Sequence, residues 1–341
     1  MGTSSHDDAS SQNPGMGMTS MAGTVPQPAT PGGKFETMGK RWVATDFGGI
    51  DKFAFVDVEV PAPDAGEVTI EVRAAGMNPA DFKHTVQPSD RPLPIPIGYE
   101  LAGVISAVGN GAAFEVGDEV IAYRVSGGYA THLTVDASNV FRKPSGLSFP
   151  EAANLLLAGA TAMEALQATA VTAGDTVLVH GASGAVGVSV LQQAQMIGAR
   201  IIGTSSEKNF DVVRGFGGEP VVYGPGLEDR VRDLAGEVDA AIDTVGTPEA
   251  VDVSIALVPD RQRIVTIANQ AAAKQLGLLA IGGMLPASAA FRDEARSRLV
   301  ALAASGDLVV PVAGTFPLAD ALEALELLRS GHPGGKLALL P

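Results

Sequence analysis

The stretch Thr176-Val-Leu-Val-His-Gly-Ala-Ser-Gly-Ala-Val-Gly187 decides the fold. Its apolar start reads as a strand, Gly181, Gly184 and Gly187 make a turn, and a helical pattern follows from Val186. A dinucleotide fingerprint needs that context: a tight turn, a backbone that can approach a pyrophosphate, and a helix packed close to its strand. Ala182 takes the first glycine position of the usual pattern, Gly184 the second and Gly187 the third. Glycines in such a turn can also serve packing alone. The end of the next strand separates NAD from NADP. An Asp or Glu there would accept hydrogen bonds from the adenosine ribose. This chain has Gly203-Thr-Ser-Ser206 instead, with Glu207 and Lys208 just after. Hydroxyls and an ammonium suit a 2′-phosphate, which a carboxylate would repel, so NADP is expected. Lys208 could equally be a solvated helix lysine.

Outward from this turn, short apolar strands alternate with helical segments. Strands are expected at Thr176–His180, Arg200–Thr204, Pro220–Tyr223, Val238–Asp243 and Arg263–Ile267, with helices near Val186–Ile197, Asn209–Phe216, Leu227–Leu234 and Pro248–Leu257. Repeated β-α units of this size argue for a doubly wound parallel sheet. Upstream, Ser148-Phe-Pro-Glu151 has the form of a capping box opening a helix that reaches about Ala168. Downstream, a helix is expected from Phe291 to Ala304, a strand at Leu308–Pro311, a helix from Pro317 to Ser330 and a last strand at Lys336–Leu340. The first half differs. Phe53–Val60 and Glu67–Arg73 alternate apolar with polar residues, and Gly98–Val108, Glu119–Tyr123 and Tyr129–Val135 follow between Gly/Pro turns. That pattern suggests a partly closed β-barrel. The fold class is therefore α/β, with a small barrel and a doubly wound sheet.

At 341 residues the chain is long enough for two domains. A hydrophobic fraction of 46% provides a sizeable core, and the net charge of −15 disfavours nucleic acid or an anionic membrane as partner. Cysteine is absent, which removes thiolate nucleophiles, disulfides and cysteine-bound zinc. Apolar runs near Ala152–Met163 and Leu276–Leu285 fall short of the roughly 18 residues a membrane span needs. Residues 1–37 are Ser/Gly/Pro/Thr/Met-rich and read as a disordered leader or an expression remnant. No secretory signal is expected, and the composition fits a cytoplasmic enzyme.

Seven or more segments in order carry a family resemblance: Arg73-Ala-Ala-Gly-Met-Asn-Pro-Ala-Asp81, Gly98-Tyr-Glu-Leu-Ala-Gly103, Val116-Gly-Asp-Glu-Val120, Gly128-Tyr-Ala130, His180–Gly187, Val221-Val-Tyr223, Asp243-Thr-Val-Gly246 and Gly334-Gly-Lys-Leu337. From about Met38 to Pro341 the chain resembles the zinc-independent, zeta-crystallin-like quinone oxidoreductases of the medium-chain dehydrogenase/reductase superfamily. The resemblance implies a GroES-like substrate domain from residues 38–157 and 305–341, and a Rossmann NADP domain from residues 158–304. It also implies a homodimer through the cofactor domains, by way of Leu276–Leu285. Thr161, Ser183, Gly184, Ala185, Val186 and Gly187 should face NADP(H); Ser205, Lys208 and Tyr223 should surround its adenosine phosphate; Val245, Ile267 and Asn269 should line the cleft towards the nicotinamide. Asn78 and Lys83, in the Asn-Pro-x-Asp-x-Lys segment, are the catalytic candidates.

Zinc-dependent cousins need a cysteine at roughly the place of Asn78 and a histidine where this chain has Tyr99, so no metal site is expected. Without a Lewis acid, alcohol oxidation loses the group that stabilises an alkoxide. Hydride transfer to a quinone or an α,β-unsaturated carbonyl is less demanding, because conjugation spreads the developing charge onto an oxygen. The expected activity is NADPH-dependent reduction of such acceptors. In this scheme Asn78 orients the carboxamide or acceptor, and Lys83 is an electrostatic or proton-donating neighbour. Asp81 is expected to hold loop structure. Tyr99, Tyr123 and Tyr129 are each open to a structural role or to donation. Two alternatives remain: an enoyl-thioester reductase, and a non-catalytic NADPH-binding sensor or stress protein.

Overall fold

The computed structural model describes residues 35–283, 285–331 and 334–341. The expected leader lies almost wholly outside these residues, but its last three positions do not: β1 spans Phe35–Ala44. Strands β2 (Phe53–Pro61), β3 (Glu67–Gly76), β4 (Ile95–Pro96), β5 (Glu100–Val108), β6 (Glu119–Tyr123), β7 (His132–Asp136) and β8 (Val140–Arg142) follow. A single-turn helix, α1 (Ala80–Lys83), interrupts them. The capping box forms as expected: Ser148 accepts the Glu151 N–H, and the Glu151 carboxylate accepts the Ser148 N–H at 2.8 Å. The helix it opens is broken into α2 (Phe149–Ala152) and α3 (Leu156–Ala168). Asn154 sits at the break and ties it down, its amide donating to the carbonyls of Pro150 and Leu337.

The second half alternates as expected. Its strands are β9 (Thr176–His180), β10 (Arg200–Ser205), β11 (Glu219–Val222), β12 (Ala240–Asp243), β13 (Ile264–Thr266) and β14 (Leu279–Ala280). The helices are α4 (Ala185–Ile197), α5 (Phe210–Gly215), α6 (Leu227–Ala235), α7 (Pro248–Leu257), α8 (Gln270–Leu276) and α9 (Pro286–Ser305). All six strands are parallel, in the order β11-β10-β9-β12-β13-β14. The order reverses at β9, the arrangement of a doubly wound dinucleotide fold. β9 is apolar from Val177 to Val179 and buried on both faces there, as a central parallel strand must be.

The chain then returns to the first half. β15 (Val312–Pro317), α10 (Ala321–Arg329) and β16 (Lys336–Leu340) complete a seven-stranded sheet, β15-β16-β3-β5-β6-β8, with β7 also on β3. A three-stranded sheet, β2-β1-β4, folds over it through the Arg41–Ala130 bridge. The expected strand at Leu308–Pro311 is not one. Val309 gives its N–H and C=O to the side chain of Gln192, and pairing with β16 starts only at Val312. Among the described residues, no helix is long and apolar enough to cross a membrane.

Candidate active site

Ligands of open α/β sheets bind outside the carboxyl ends of the strands where the order reverses. Here that point follows β9. Gly181 has φ 76°, and a Cβ on it would lie 2.6 Å from Thr244 Oγ1. A Cβ on Gly187 would lie 2.3 Å from the Gly181 carbonyl oxygen, so only glycine lets α4 come so close to the turn. Gly184 caps the thirteen-residue α4 without any side-chain hydrogen bond, which leaves the helix start open to an anion. Ser183, Gly184 and Ala185 line a cleft whose other walls are Asn154, Ala158, Pro311 and Gly334-Gly-Lys336. The turn therefore fits a pyrophosphate in the way its sequence requires.

Ser205, Lys208, Tyr223, Val245, Ile267 and Asn269 lie at or follow the carboxyl ends of the strands on the same edge. Ser205 ends β10, buried, with its hydroxyl on the Ser206 carbonyl; Lys208 is exposed just beyond it, and no carboxylate ends the strand. Asn209 ties this loop to the glycine-rich turn, its amide donating to Ser183 Oγ at 3.3 Å. Tyr223 follows β11 and is half exposed. Asp243 shapes the turn after β12: one oxygen accepts the N–H groups of Val245 and Gly246, the other the Thr266 hydroxyl. Val245 is exposed there, and Ile267 follows β13, partly buried. Asn269 is committed locally. It caps α8 through Ala272 N and holds the Gly246 carbonyl. Thr161 is buried on α3 and bonds the Leu157 carbonyl, while Val186 packs on the core beneath the turn.

Behind Lys336, which lines the cleft, the seven-stranded sheet holds a buried polar cluster. Asn78 follows β3 and is 3% exposed. Its amide donates to Glu100 Oε1 at 2.9 Å and accepts from Lys336 Nζ at 2.6 Å. Lys336 also donates to the Met77 carbonyl at 2.8 Å and to Glu100 Oε1 at 3.3 Å. The other Glu100 oxygen accepts Leu157 N at 2.9 Å, at the start of the helix that carries Thr161. Asp81 accepts from Asn78 N and from the Tyr129 hydroxyl, both at 2.7 Å. Burial pushes the Asp81 carboxyl up to about 7, against the pull of the Tyr129 hydrogen bond. Burial and the adjacent Asp81 together hold the Tyr129 phenol protonated. Asp81 and Tyr129 thus order the Asn78 segment.

Lys83 does not join Asn78. It ends the one turn of α1, exposed, with no side-chain hydrogen bond among the described residues. Nearer the surface, the Tyr99 hydroxyl meets His84 Nδ1 at 3.0 Å and Arg91 at 3.3 Å. Burial raises the Tyr99 pKa, and burial, Arg91 and Lys83 lower that of His84. Tyr123 is buried against Arg292, which pairs with Glu164 at 2.8 Å. His180 is structural: it contacts Ser254 Oγ at 3.1 Å, and burial lowers its pKa to about 4. Among the described residues no three His, Asp or Glu side chains group to hold a metal ion. His6 and His332 lie outside them.

The motifs in the sequence point to Tyr99 of the Gly98–Gly103 segment but not to Glu100, Asn154, Asn209 or Lys336. The polar residues stranded in otherwise apolar strands, Glu100 and Lys336, were the available signal.

Known proteins show the same architecture. Residues 64–145 match the family described as "Alcohol dehydrogenase GroES-like domain", and residues 217–339 match "Zinc-binding dehydrogenase". A human "Quinone oxidoreductase" is 31% identical over 307 residues, covering 83% of this chain and 92% of its own length. The "NADPH-dependent alkenal/one oxidoreductase, chloroplastic" of Arabidopsis thaliana is 28% identical over 325 residues, 89% of this chain and 79% of that protein. A mycobacterial structure solved in complex with NADPH superposes with a TM-score of 0.77 at 29% identity, covering 89% of this chain and all of that one.

Proposed function

Since the chain belongs to the quinone oxidoreductase family of the medium-chain dehydrogenases/reductases, we propose that it reduces quinones or α,β-unsaturated carbonyls with NADPH and without zinc. The observation that carries this reading is the cleft lined by both the glycine-rich turn, Ser183–Ala185, and Lys336, whose ammonium is hydrogen-bonded to the buried Asn78 and Glu100 behind it. Bound NADPH supplies the hydride. The protein's part is to hold cofactor and acceptor in register, keep the slot dry, and stabilise charge on the acceptor oxygen.

Gly184, Ala185 and the start of α4 hold the pyrophosphate, and Ser205 with Lys208 hold the 2′-phosphate. Asn78 retains one amide N–H beyond the bond to Glu100 and offers it to the acceptor carbonyl. Lys83, exposed at the end of α1, is a secondary electrostatic neighbour. Water delivers the proton after hydride transfer. Residues 38–157 with 305–341 are the substrate domain, and residues 158–304 the cofactor domain. The protein works as a cytoplasmic homodimer joined near β14, an outer strand that pairs only with β13 among the described residues.

The test is steady-state oxidation of NADPH and NADH with a small benzoquinone, an alkenal and an enoyl thioester side by side. Turnover of quinone or alkenal with NADPH preferred supports the reading. Turnover confined to the thioester moves the protein to the enoyl-thioester reductases. NADPH binding without oxidation of any acceptor makes it a cofactor-dependent sensor.

A further inference from the structure

The last strand delivers a lysine into the site. Lys336 opens β16, its side chain 5% exposed, and it borders the cleft lined by Ser183, Gly184 and Ala185. Its three N–H bonds meet three acceptors: the Asn78 amide oxygen, the Met77 carbonyl and Glu100 Oε1. None is left for a cofactor or substrate. Lys336 therefore acts through what it holds.

It holds the amide of Asn78. The ammonium binds the amide oxygen at 2.6 Å and the Glu100 carboxylate takes one amide N–H at 2.9 Å. A flipped amide would set its NH2 against the ammonium and its oxygen against the carboxylate, so the charged pair fixes the orientation. Drawing electron density towards the amide oxygen also strengthens the remaining N–H as a donor. That N–H is the one donor of the Asn78–Glu100–Lys336 triad without an assigned acceptor. Glu100 further binds Leu157 N, so the same pair sets the start of α3.

We propose that Lys336 is a positioning residue for the reduction: paired with Glu100, it orients and polarises the Asn78 amide so that its free N–H meets the acceptor oxygen. Hydride arrives at the conjugated carbon, the π pair moves to that oxygen, and Asn78 stabilises the anion by a hydrogen bond without losing its proton. Water then protonates the product. This rests on the functional reading above and adds the element that tunes it.

Removing one member of a buried ion pair strands the other charge, whereas neutralising both is often tolerated. Lys336→Met alone should lose both stability and kcat. Adding Glu100→Gln should return the urea midpoint towards the wild-type value. In that double variant kcat should remain about tenfold or more below wild type. Its NADPH dissociation constant, read by fluorescence without acceptor, should stay within about twofold, because all three N–H groups of Lys336 are used within the protein. A double variant that recovers kcat, or one that does not fold, makes Lys336 a structural strut and overturns the proposal. A NADPH affinity that falls with kcat overturns it too, by moving the effect to the cofactor. Wild-type silence on every acceptor sinks the functional reading and this inference together; wild-type turnover matched by the double variant sinks the inference alone.

Discussion

Asp81 should make the protein lose stability as pH rises towards neutrality, and Asp81→Asn should remove that loss. The carboxyl is 1% exposed. One oxygen accepts from Asn78 N and the Tyr129 hydroxyl; the other is buried with no partner among the described residues. Burial raises its pKa from 3.8 to about 7. Between these values the folded chain keeps a proton that the unfolded chain releases. The stability it contributes is thus complete below pH 3.8 and lost as pH rises through about 7. A shift of about three units at 1.36 kcal/mol each amounts to roughly 4 kcal/mol in all, of which roughly 2.5 kcal/mol is lost between pH 5 and 8. Asparagine keeps the shape, offers an oxygen to the same two donors and does not titrate. Urea unfolding of the cofactor-free protein and of Asp81→Asn at pH 5, 6, 7 and 8 isolates the effect. The difference should move in the variant's favour by roughly 2.5 kcal/mol, nearly all of it by pH 7. A difference that stays flat across the range would refute the reasoning, because the carboxyl would then be ionised throughout.

Two further outcomes are expected. Lys208→Ala should weaken NADPH binding about tenfold while leaving NADH within about twofold, since only NADPH carries the 2′-phosphate. Titration by fluorescence checks it, and equal losses for both cofactors would take Lys208 out of the phosphate site. Metal analysis after exhaustive dialysis should find zinc far below stoichiometry with undiminished quinone turnover; a tightly held equivalent would overturn the zinc-free reading.

The parts of the fold legible in the sequence were those whose physics is local. The turn Gly181–Gly187 carries its own constraints, because a Cβ at Gly187 would lie 2.3 Å from the carbonyl six residues earlier. Ser148 and Glu151 cap each other three residues apart. α7 opens at Thr247, whose hydroxyl accepts the Ala250 N–H, with Pro248 at its first position. Where a distant side chain intervened, the local pattern misled. Leu308–Pro311 reads as a strand because it is apolar and β-branched, but Gln192 of α4 takes both hydrogen-bonding groups of Val309. The helix from Ser148 breaks at Asn154, whose amide reaches Leu337, 183 residues away.

The same division explains which lysine meets Asn78. Sequence proximity favoured Lys83, five residues from Asn78, and the shared segment invited the pairing. The two are separated by the start of α1: Asn78 is buried before the helix and Lys83 is exposed at its end. The cation that does meet Asn78 comes from position 336, 258 residues on, and it arrives only because β16 returns to pair with β3, with Ala338 opposite Gly76. A periodicity or a motif records neighbours along the chain. The Asn78–Glu100–Lys336 triad exists only once strand pairing has closed the seven-stranded sheet, so its chemistry depends on the topology rather than on any one segment.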